Sequence, residues 1–287
     1  MKDDSSAKLA GIRISTVFAF PAEHSDRNGF LMKAPGLRTE LAGGILRVTI
    51  DRQARLNALD DVTCDALTEA FTSHPVEARV IVVTGTGASF SAGADVIDLA
   101  SAAPEDDTTA TAAAEHTMRR ACALIGSIIA CPIPVIAQVN GPAVGIGASI
   151  ALAADLIYAS EDAYFLLAFT KIGLMPDGGA SLLIPAAIGR ARASAMMLLA
   201  QRMTAEEAFA VGLINDVLPA AELAPRVDIV ARKLTESPRR ALELTKSALT
   251  ASTLSLLDDA LRRESEGQIE LLTSPEFRSR ITAFASK

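Results

Sequence analysis

The chain has 287 residues, of which 50% are hydrophobic, so it can bury the core of one large globular domain. Its formal net charge is -7 and its lysines and arginines are scattered, which argues against a nucleic-acid-binding surface. The cysteines, Cys64, Cys122 and Cys131, are odd in number and lack the spacing of metal ligands. They predict neither a zinc site nor a disulfide framework, and they favour a reducing cytoplasm.

The first part of the chain predicts an extension followed by strands and a helix. Residues 1–38 contain prolines and glycines without sustained periodicity, so we expect a flexible extension. The extension begins with polar residues and has no apolar secretory signal. The predicted elements that follow are a Gly43-Gly44 turn, a strand at Ile45–Ile50, a helix beginning at Asp60 and Asp61, and a buried strand at Arg79–Thr84.

The middle of the chain contains a long uncharged stretch from Ala121 to Ala154. Three prolines interrupt it, so it predicts buried elements of a globular core and no membrane span. Before it, Ser101–Thr111 is rich in Ala, Thr and Asp and predicts a surface excursion. The predicted elements are a helix at Ala114–Ala130, a strand at Pro134–Val139, a small-residue helix from Gly145 to Ala154, and strands at Leu156–Ser160 and Tyr164–Ala168.

The last part of the chain predicts helices. Thr204-Ala-Glu-Glu207 has the pattern of a capping box, Ser237-Pro238 that of a helix N-cap followed by proline, and Ser255 with Asp258 that of another helix start. The sequence therefore predicts an α/β core over residues 39–203 and a helical region over residues 204–287.

Two glycine-rich turns follow buried strands, Phe90–Asp95 after the first and Asn140–Gly147 after the second. Where a strand leads into a helix through glycine and alanine, the N–H groups of the first turn are unpaired and a ligand oxygen can approach them. Two such turns that face each other would form an oxyanion hole. An acyl thioester requires one when its α-proton is removed, because negative charge then develops on the thioester oxygen.

The motifs around these turns resemble those of the crotonase (enoyl-CoA hydratase/isomerase) superfamily. They are Asn57-Ala-Leu59, Phe90-Ser-Ala-Gly-Ala-Asp95, Pro134-Val-Ile-Ala-Gln-Val-Asn-Gly141, Ala153-Ala-Asp155, Gly173-Leu-Met-Pro176 with Gly178-Gly179, Thr204-Ala-Glu-Glu-Ala208, and Gly212-Leu-Ile214. The resemblance implies a spiral of repeated ββα units with a C-terminal helical oligomerisation region, assembled as a homotrimer or homohexamer. It also implies that the N–H groups of Ala94 and Ile146 form the oxyanion hole.

The resemblance further implies an acyl-CoA thioester as the ligand, with no separate cofactor because coenzyme A is part of the substrate. Its phosphate would lie near Arg52 and Arg55, and Phe284 and Lys287 resemble the terminal aromatic residue and lysine that reach a neighbouring subunit's coenzyme A. The other residues expected to line the substrate site are Ala92, Gly93, Gly145, Ser149 and Phe169.

The chain departs from the typical hydratase pattern at both catalytic glutamates. These positions align with Ser149 and Phe169, and neither side chain can transfer a proton as a carboxyl group does. Asp177, directly before Gly178-Gly179, resembles the catalytic glutamate of one branch of Δ3,Δ2-enoyl-CoA isomerases, a reaction that requires a single base. The competing interpretation is that Asp177 forms an Asx turn or caps the following helix.

Three alternatives remain open at this point. The missing glutamates are compatible with a non-catalytic acyl-CoA-binding protein. Gly147-Ala-Ser-Ile-Ala151 resembles a degenerate nucleophile elbow, so Ser149 could belong to a serine hydrolase, although no motif connects it to His24, His74 or His116. Gly145-Ile-Gly147 follows a strand as a dinucleotide-binding motif would, but Ile150 occupies the third glycine position.

Overall fold

The computed structural model describes residues 30–95 and 107–285 of the chain. The strands in this part are β1 (Phe30–Ala34), β2 (Leu37–Ala42), β3 (Ile45–Ile50), β4 (Val80–Gly85), β5 (Val135–Val139), β6 (Ala143–Val144), β7 (Leu156–Ser160), β8 (Tyr164–Leu166), β9 (Met203–Thr204) and β10 (Asp216–Leu218). The α-helices are α1 (Asp61–Thr72), α2 (Asp107–Ala130), α3 (Ile146–Leu152), α4 (Ala180–Ile188), α5 (Arg190–Leu198), α6 (Ala205–Ala210), α7 (Ala220–Glu236), α8 (Arg239–Thr253), α9 (Leu257–Leu272) and α10 (Pro275–Ala285). Short 3-10 helices cover Gln53–Arg55 and Ala168–Ile172.

Two sheets organise the described residues. The larger sheet has the strand order β1-β2-β3-β4-β5-β7-β10, and the smaller one has the order β6-β8-β9. In the larger sheet, β1, β2 and β3 are antiparallel neighbours, whereas every pair from β3 to β10 is parallel. Because parallel strands end at the same edge, the loops after β4 and β5 meet beside each other. The predicted α/β class is confirmed.

The central strands are apolar on both faces because helices cover both sides of the sheet. Every residue of β4 and of β5 is buried. On one face, Leu223, Val227 and Ala231 of α7 pack against alternate residues of the sheet such as Val80 and Val82. A much larger cluster occupies the other face and contains residues of α1, α2 and α3. The strands predicted at these positions are confirmed, with boundaries shifted by one residue.

Local capping signals fix several helix starts as expected. The Asp60 side chain accepts a hydrogen bond of 2.8 Å from the main-chain N–H of Thr63, so α1 begins where the sequence predicts. Thr204 and Glu207 form the complete capping box of α6. In contrast, Ser237 does not cap α8, since its hydroxyl donates to the carbonyl of Lys233 in the preceding helix. The sequence predicts this helix start to within one residue, but the expected side-chain cap does not form.

Other boundaries differ from the predictions. Phe30–Ala34 and Leu37–Ala42 form paired strands, so the prediction that the extension runs to residue 38 is wrong for its last nine residues. The remainder of that segment, residues 1–29, lies outside the described residues. Helix α2 begins at Asp107, so the predicted surface excursion is wrong for residues 107–111, and residues 101–106 also lie outside the described part. Alanine and threonine there continue the helix because Ala110 and Ala114 pack against the core.

The C-terminal helices are tied to the core by an ion pair between a buried lysine and a partly exposed aspartate. Lys246 is the buried residue of α8, and its ammonium group donates to the carboxylate of Asp155 at 2.7 Å. The same ammonium donates to the carbonyls of Ile128 and Ile133. Asp155 in turn accepts the N–H of Val135 at the start of β5, so its carboxylate links α8 to the central sheet. Among the described helices, none is both long and apolar enough to cross a membrane.

Candidate active site

Two asparagine side chains hold the first glycine-rich turn. Asn57 is completely buried, and its amide donates to the carbonyls of Thr86 and Ser89 at 2.9 and 2.7 Å. Asn140, after β5, also donates to Ser89 and accepts the N–H of Gly85. Side-chain amides can satisfy main-chain groups that no strand reaches. They therefore fix the path of the chain from the end of β4 into the turn.

The main chain of Ala94 is oriented by a bridge to Leu59. The N–H of Leu59 donates to the carbonyl of Gly93 at 2.7 Å, and the N–H of Asp95 donates to the carbonyl of Leu59 at 2.9 Å. In a parallel bridge of this kind, the N–H of the intervening residue points away from the partner. Within the described part of the chain, the N–H of Ala94 donates to no protein acceptor.

The second turn ends in a glycine that has a left-handed conformation. Gly145 has φ 54° and ψ -128° and is the N-cap of α3, so Ile146 is the first helical residue. An isoleucine can provide the oxyanion donor at this position only if its backbone is helical. Ile146 has that geometry. As at Ala94, the N–H of Ile146 finds no protein acceptor among the described residues.

The two turns are packed directly against each other. A Cβ atom on Gly93 would lie 2.7 Å from the carbonyl oxygen of Val144, and one on Gly147 would lie 2.7 Å from Cβ of Ser91. A Cβ on Gly145 would lie 3.8 Å from Cζ of Phe169, so the aromatic ring also borders the second turn. The structure thus brings Gly93, Ala94, Gly145, Ile146 and Phe169 together as the sequence predicts.

The loop that carries Asp177 packs against the second turn. A Cβ on Gly178 would lie 2.7 Å from Cδ1 of Ile146 and 2.8 Å from Cβ of Ser149, so only glycine allows this approach. Ser149 is fully buried, and its hydroxyl donates to the main-chain carbonyl of Asp177 at 2.9 Å. The Ser149 hydroxyl therefore holds this loop in place.

Asp177 is a buried carboxyl group with one satisfied oxygen. Its Oδ2 accepts a hydrogen bond of 2.7 Å from the amide of Gln268, whereas its buried Oδ1 has no partner among the residues that the structure describes. Burial raises the pKa of Asp177 to about 7, the hydrogen bond from Gln268 opposes this shift, and the nearby Glu264 carboxylate adds to it. A group with this pKa both accepts and returns protons near neutral pH.

Glu264, and not Asp177, satisfies the start of α4. The carboxylate of Glu264 accepts the N–H groups of Gly179 and Ser181 at 2.7 and 2.8 Å. Helix α4 has no side-chain cap from its own N-terminal residues, so the capping interpretation of Asp177 is wrong. Sequence reasoning missed Glu264 and Gln268. Their signal is their position, because both lie on the buried face of α9 together with Ala260.

The predicted coenzyme A contacts divide into two groups. The guanidinium of Arg52 pairs with Asp60 at 2.9 Å and Asp95 at 3.3 Å and donates to the carbonyl of Ala58, so internal acceptors occupy it. Arg55 is exposed and stands at the end of a 3-10 helix. Ala92, which was expected to line the substrate site, lies within the first turn and is partly exposed. Phe284 belongs to α10, although its side chain is not described, and Lys287 lies outside the described residues.

The histidines do not support a hydrolase triad. His74 contacts the carbonyl of Phe71, and His116 faces Asp61 at 3.7 Å, so neither described histidine meets Ser149. His24 lies outside the described residues. Ser149 gives its only proton to a main-chain carbonyl and has no imidazole beside it among the described residues, so this part of the structure does not supply the activation that a nucleophilic serine needs.

Two surface cavities lie away from these groups. One of about 530 Å³ lies between β2, β3 and α7, and another of about 380 Å³ borders α5 and α6. Neither is lined by Asp177 or by the two glycine-rich turns. These two cavities therefore do not locate the candidate site. The candidate site is located by the unpaired N–H groups of Ala94 and Ile146 and by the buried carboxyl group of Asp177.

Comparison with known proteins supplies the family. The model of the enoyl-CoA hydratase/isomerase family matches residues 40–287, which is most of the chain. The chain belongs to this family. The enoyl-CoA hydratase/isomerase match begins within β2, so it includes both glycine-rich turns and the whole C-terminal helical region.

Individual members of the enoyl-CoA hydratase/isomerase family align along nearly all of their length. A probable enoyl-CoA hydratase of Rhodobacter capsulatus is 38% identical over 251 residues, which is 88% of this chain and 95% of the relative. The 1,2-epoxyphenylacetyl-CoA isomerase of Escherichia coli is 33% identical, with 85% and 93% covered. The crystal structure of an enoyl-CoA hydratase from Mycobacterium avium subsp. paratuberculosis has 42% identity and a TM-score of 0.79, covering 88% and 97%. The predicted crotonase fold is confirmed.

Proposed function

We propose that this protein is an enzyme that moves a carbon–carbon double bond in an acyl-CoA thioester, with Asp177 as its single acid–base group. One observation carries the proposal: a buried carboxyl group with a pKa of about 7, one of whose oxygens has no partner among the described residues, lies in the loop that packs on the second glycine-rich turn. Such a group is expensive to maintain in a folded protein, and active sites are where such groups concentrate.

The proposed reaction transfers one proton between two carbons of the substrate. Ionised Asp177 removes a proton from C2 of a 3-enoyl-CoA, and the electrons of the broken C–H bond form a dienolate. The N–H groups of Ala94 and Ile146 donate to its thioester oxygen, and each such donor contributes roughly 10²–10³-fold in rate. Protonated Asp177 then delivers the same proton to C4, which leaves the 2-enoyl-CoA and restores the carboxylate.

Hydration of a 2-enoyl-CoA needs chemical groups that this site does not offer at the expected positions. One group must activate water and another must supply the proton for C2, and each contributes roughly 10²–10⁴-fold. Ser149 is fully buried and bonded to a main-chain carbonyl, and the Phe169 ring carries no transferable proton. These observations favour isomerisation over hydration.

The names of relatives support the substrate class more than the reaction. The Escherichia coli relative is named as an isomerase of a CoA ester and the Rhodobacter relative as a probable hydratase, whereas a Salmonella relative with 34% identity is named carnitinyl-CoA dehydratase. All three names specify a CoA thioester. We therefore propose an acyl-CoA substrate, with coenzyme A as part of that substrate and no separate cofactor.

We also propose where coenzyme A binds and how subunits assemble. Exposed Arg55 is a cation before the first turn that has no ion-pair partner among the described residues and so remains available to a phosphate, and Phe284 and Lys287 would reach a neighbouring subunit's ligand. Leu244 and Leu249 of α8 are exposed by more than half of their surface, which supports burial of this helix between subunits in a homotrimer or homohexamer. Light scattering of the purified protein measures that state directly.

The decisive experiment compares the purified protein with its Asp177→Asn variant on 3-enoyl-CoA and 2-enoyl-CoA thioesters. The variant keeps size and polarity but cannot take up a proton, so isomerisation should fall at least 10³-fold while acyl-CoA affinity stays within a few-fold. Asp162→Asn, which changes an exposed carboxylate in a turn, is the matched control. Undiminished turnover in Asp177→Asn, hydration as the main reaction, or tight binding without any turnover would each reject the proposed mechanism.

A further inference from the structure

Gln268 of α9 makes two hydrogen bonds to the loop that carries Asp177. Its side chain is 2% exposed, its Oε1 accepts the N–H of Met175 at 3.1 Å, and its Nε2 donates to Oδ2 of Asp177 at 2.7 Å. The main-chain donor at Met175 can face only the amide oxygen, so the nitrogen must face the aspartate. Gln268 is thus held in one orientation from both ends.

The contact leaves the two carboxyl oxygens of Asp177 in different situations. Oδ2 is engaged by Gln268, while Oδ1 is buried and has no partner in the described part of the chain. We propose that Gln268 is a positioning residue that fixes the Asp177 carboxyl group and reserves Oδ1 for the proton exchanged with the substrate. The inference rests on the proposed function, because it assigns the reactive oxygen of the same base.

Glu264 lies one helical turn before Gln268, and its effect on the pKa of Asp177 is opposite to that of Gln268. It does not bond to Asp177, since its two oxygens accept the N–H groups of Gly179 and Ser181. Its charge raises the pKa of Asp177, whereas the Gln268 hydrogen bond lowers it. The other titratable group that interacts with Asp177 among the described residues is Cys122 of α2, and burial raises the pKa of its thiol to about 11, so it stays neutral near pH 7.

Because Gln268 and Glu264 shift the pKa of Asp177 in opposite directions, their variants can separate a positioning role from simple structural support. The measurement is kcat/KM for a 3-enoyl-CoA as a function of pH, in the wild-type protein and in Gln268→Met and Glu264→Gln. Activity requires ionised Asp177, so kcat/KM should rise through about pH 7 in the wild type. Losing the hydrogen bond in Gln268→Met should move this rise upward by about one to two pH units. Losing the neighbouring charge in Glu264→Gln should move it downward.

A second readout addresses orientation. Because Gln268→Met frees the carboxyl group to rotate, kcat on the high-pH plateau should fall roughly ten-fold or more while KM changes little. If Gln268→Met does not fold, Gln268→Glu replaces it. That variant keeps an acceptor for Met175 and places a carboxyl group against Oδ2, so its profile should also move to higher pH.

The outcomes distinguish this inference from the proposed function. Opposite shifts in the two α9 variants, together with the loss in kcat, support the positioning role. An unshifted profile in the Gln268 variants, or shifts of the same direction in the Gln268 and Glu264 variants, overturns it even though Asp177→Asn is inactive. Full activity in Asp177→Asn would refute the proposed function, and the positioning role with it.

Discussion

Replacing Asp177 with asparagine should change how the stability of the protein depends on pH. In the folded protein the pKa of this carboxyl group is about 7, against an ordinary value of 3.8. The folded state therefore keeps a proton that the unfolded chain releases, and the free energy of unfolding falls as the pH rises from about 4 to about 7. A shift of about three pKa units at roughly 1.4 kcal/mol each amounts to about 4 kcal/mol.

Asparagine does not titrate, so Asp177→Asn should lack this loss. Between pH 5 and pH 8, the wild-type protein should lose about 3 kcal/mol of unfolding free energy that the variant keeps, because the window from pH 5 to the folded-state pKa covers two units. Asparagine still offers a carbonyl oxygen to Gln268, so the hydrogen bond at 2.7 Å has an acceptor in both proteins.

Guanidinium unfolding at pH 5, 6, 7 and 8, at one protein concentration, measures this difference. The exposed Asp162→Asn variant controls for the loss of one negative charge, and its curve should stay parallel to that of the wild type. The reasoning is refuted if the Asp177→Asn and wild-type stabilities also remain parallel across this range, because Asp177 would then titrate alike in the folded and unfolded states.

Three further variants test other parts of the structure. In Gly93→Ala, φ of +92° and a Cβ 2.7 Å from a facing carbonyl oxygen should displace the oxyanion turn and lower kcat/KM about 10²-fold, whereas Gly43→Ala, with open space around it, should retain activity. Equal activities would contradict this. Lys246→Met removes the ammonium group that pairs with the partly exposed Asp155 carboxylate and donates to two carbonyls, so it should cost about 1–2 kcal/mol in denaturant unfolding, and a loss below about 0.5 kcal/mol would show that these contacts are not important for stability. Arg55→Ala should raise KM for acyl-CoA several-fold without changing the melting temperature, and an unchanged KM would remove Arg55 from the phosphate site.

The parts of the fold that were predictable from the sequence depend on local chemistry. Asp60 and Thr204 indicate helix starts because the side chain of each accepts the main-chain N–H three residues later. The glycine-rich turns were recognisable because the loops that follow β4 and β5 have positive φ at Gly93 and Gly145, a conformation that favours glycine. The strands Val80–Gly85 and Val135–Val139 were recognisable because burial on both faces requires continuous apolar sequence.

The missed features depend on contacts between distant segments. Residues 30–38 form strands because they pair with residues 37–50, which no local periodicity signals. The sequence did not indicate that the Ser149 hydroxyl donates to a main-chain carbonyl 28 residues away. Glu264 and Gln268 are polar residues on the buried face of α9, and that placement indicates buried partners without saying which ones. Only the tertiary structure, in which α9 packs on residues 175–181, identifies those partners.

The dependence of residues 175–181 on α9 has a consequence for synthesis of the protein. The main-chain N–H groups of Met175, Gly179 and Ser181 receive their acceptors from Gln268 and Glu264, more than 80 residues later in the chain. A nascent chain released before about residue 270 would contain both glycine-rich turns and Asp177, yet these three donors would have lost their partners. Catalytic competence should therefore arise only when the C-terminal end has left the ribosome, and truncated products should be inactive even where their sheet has formed.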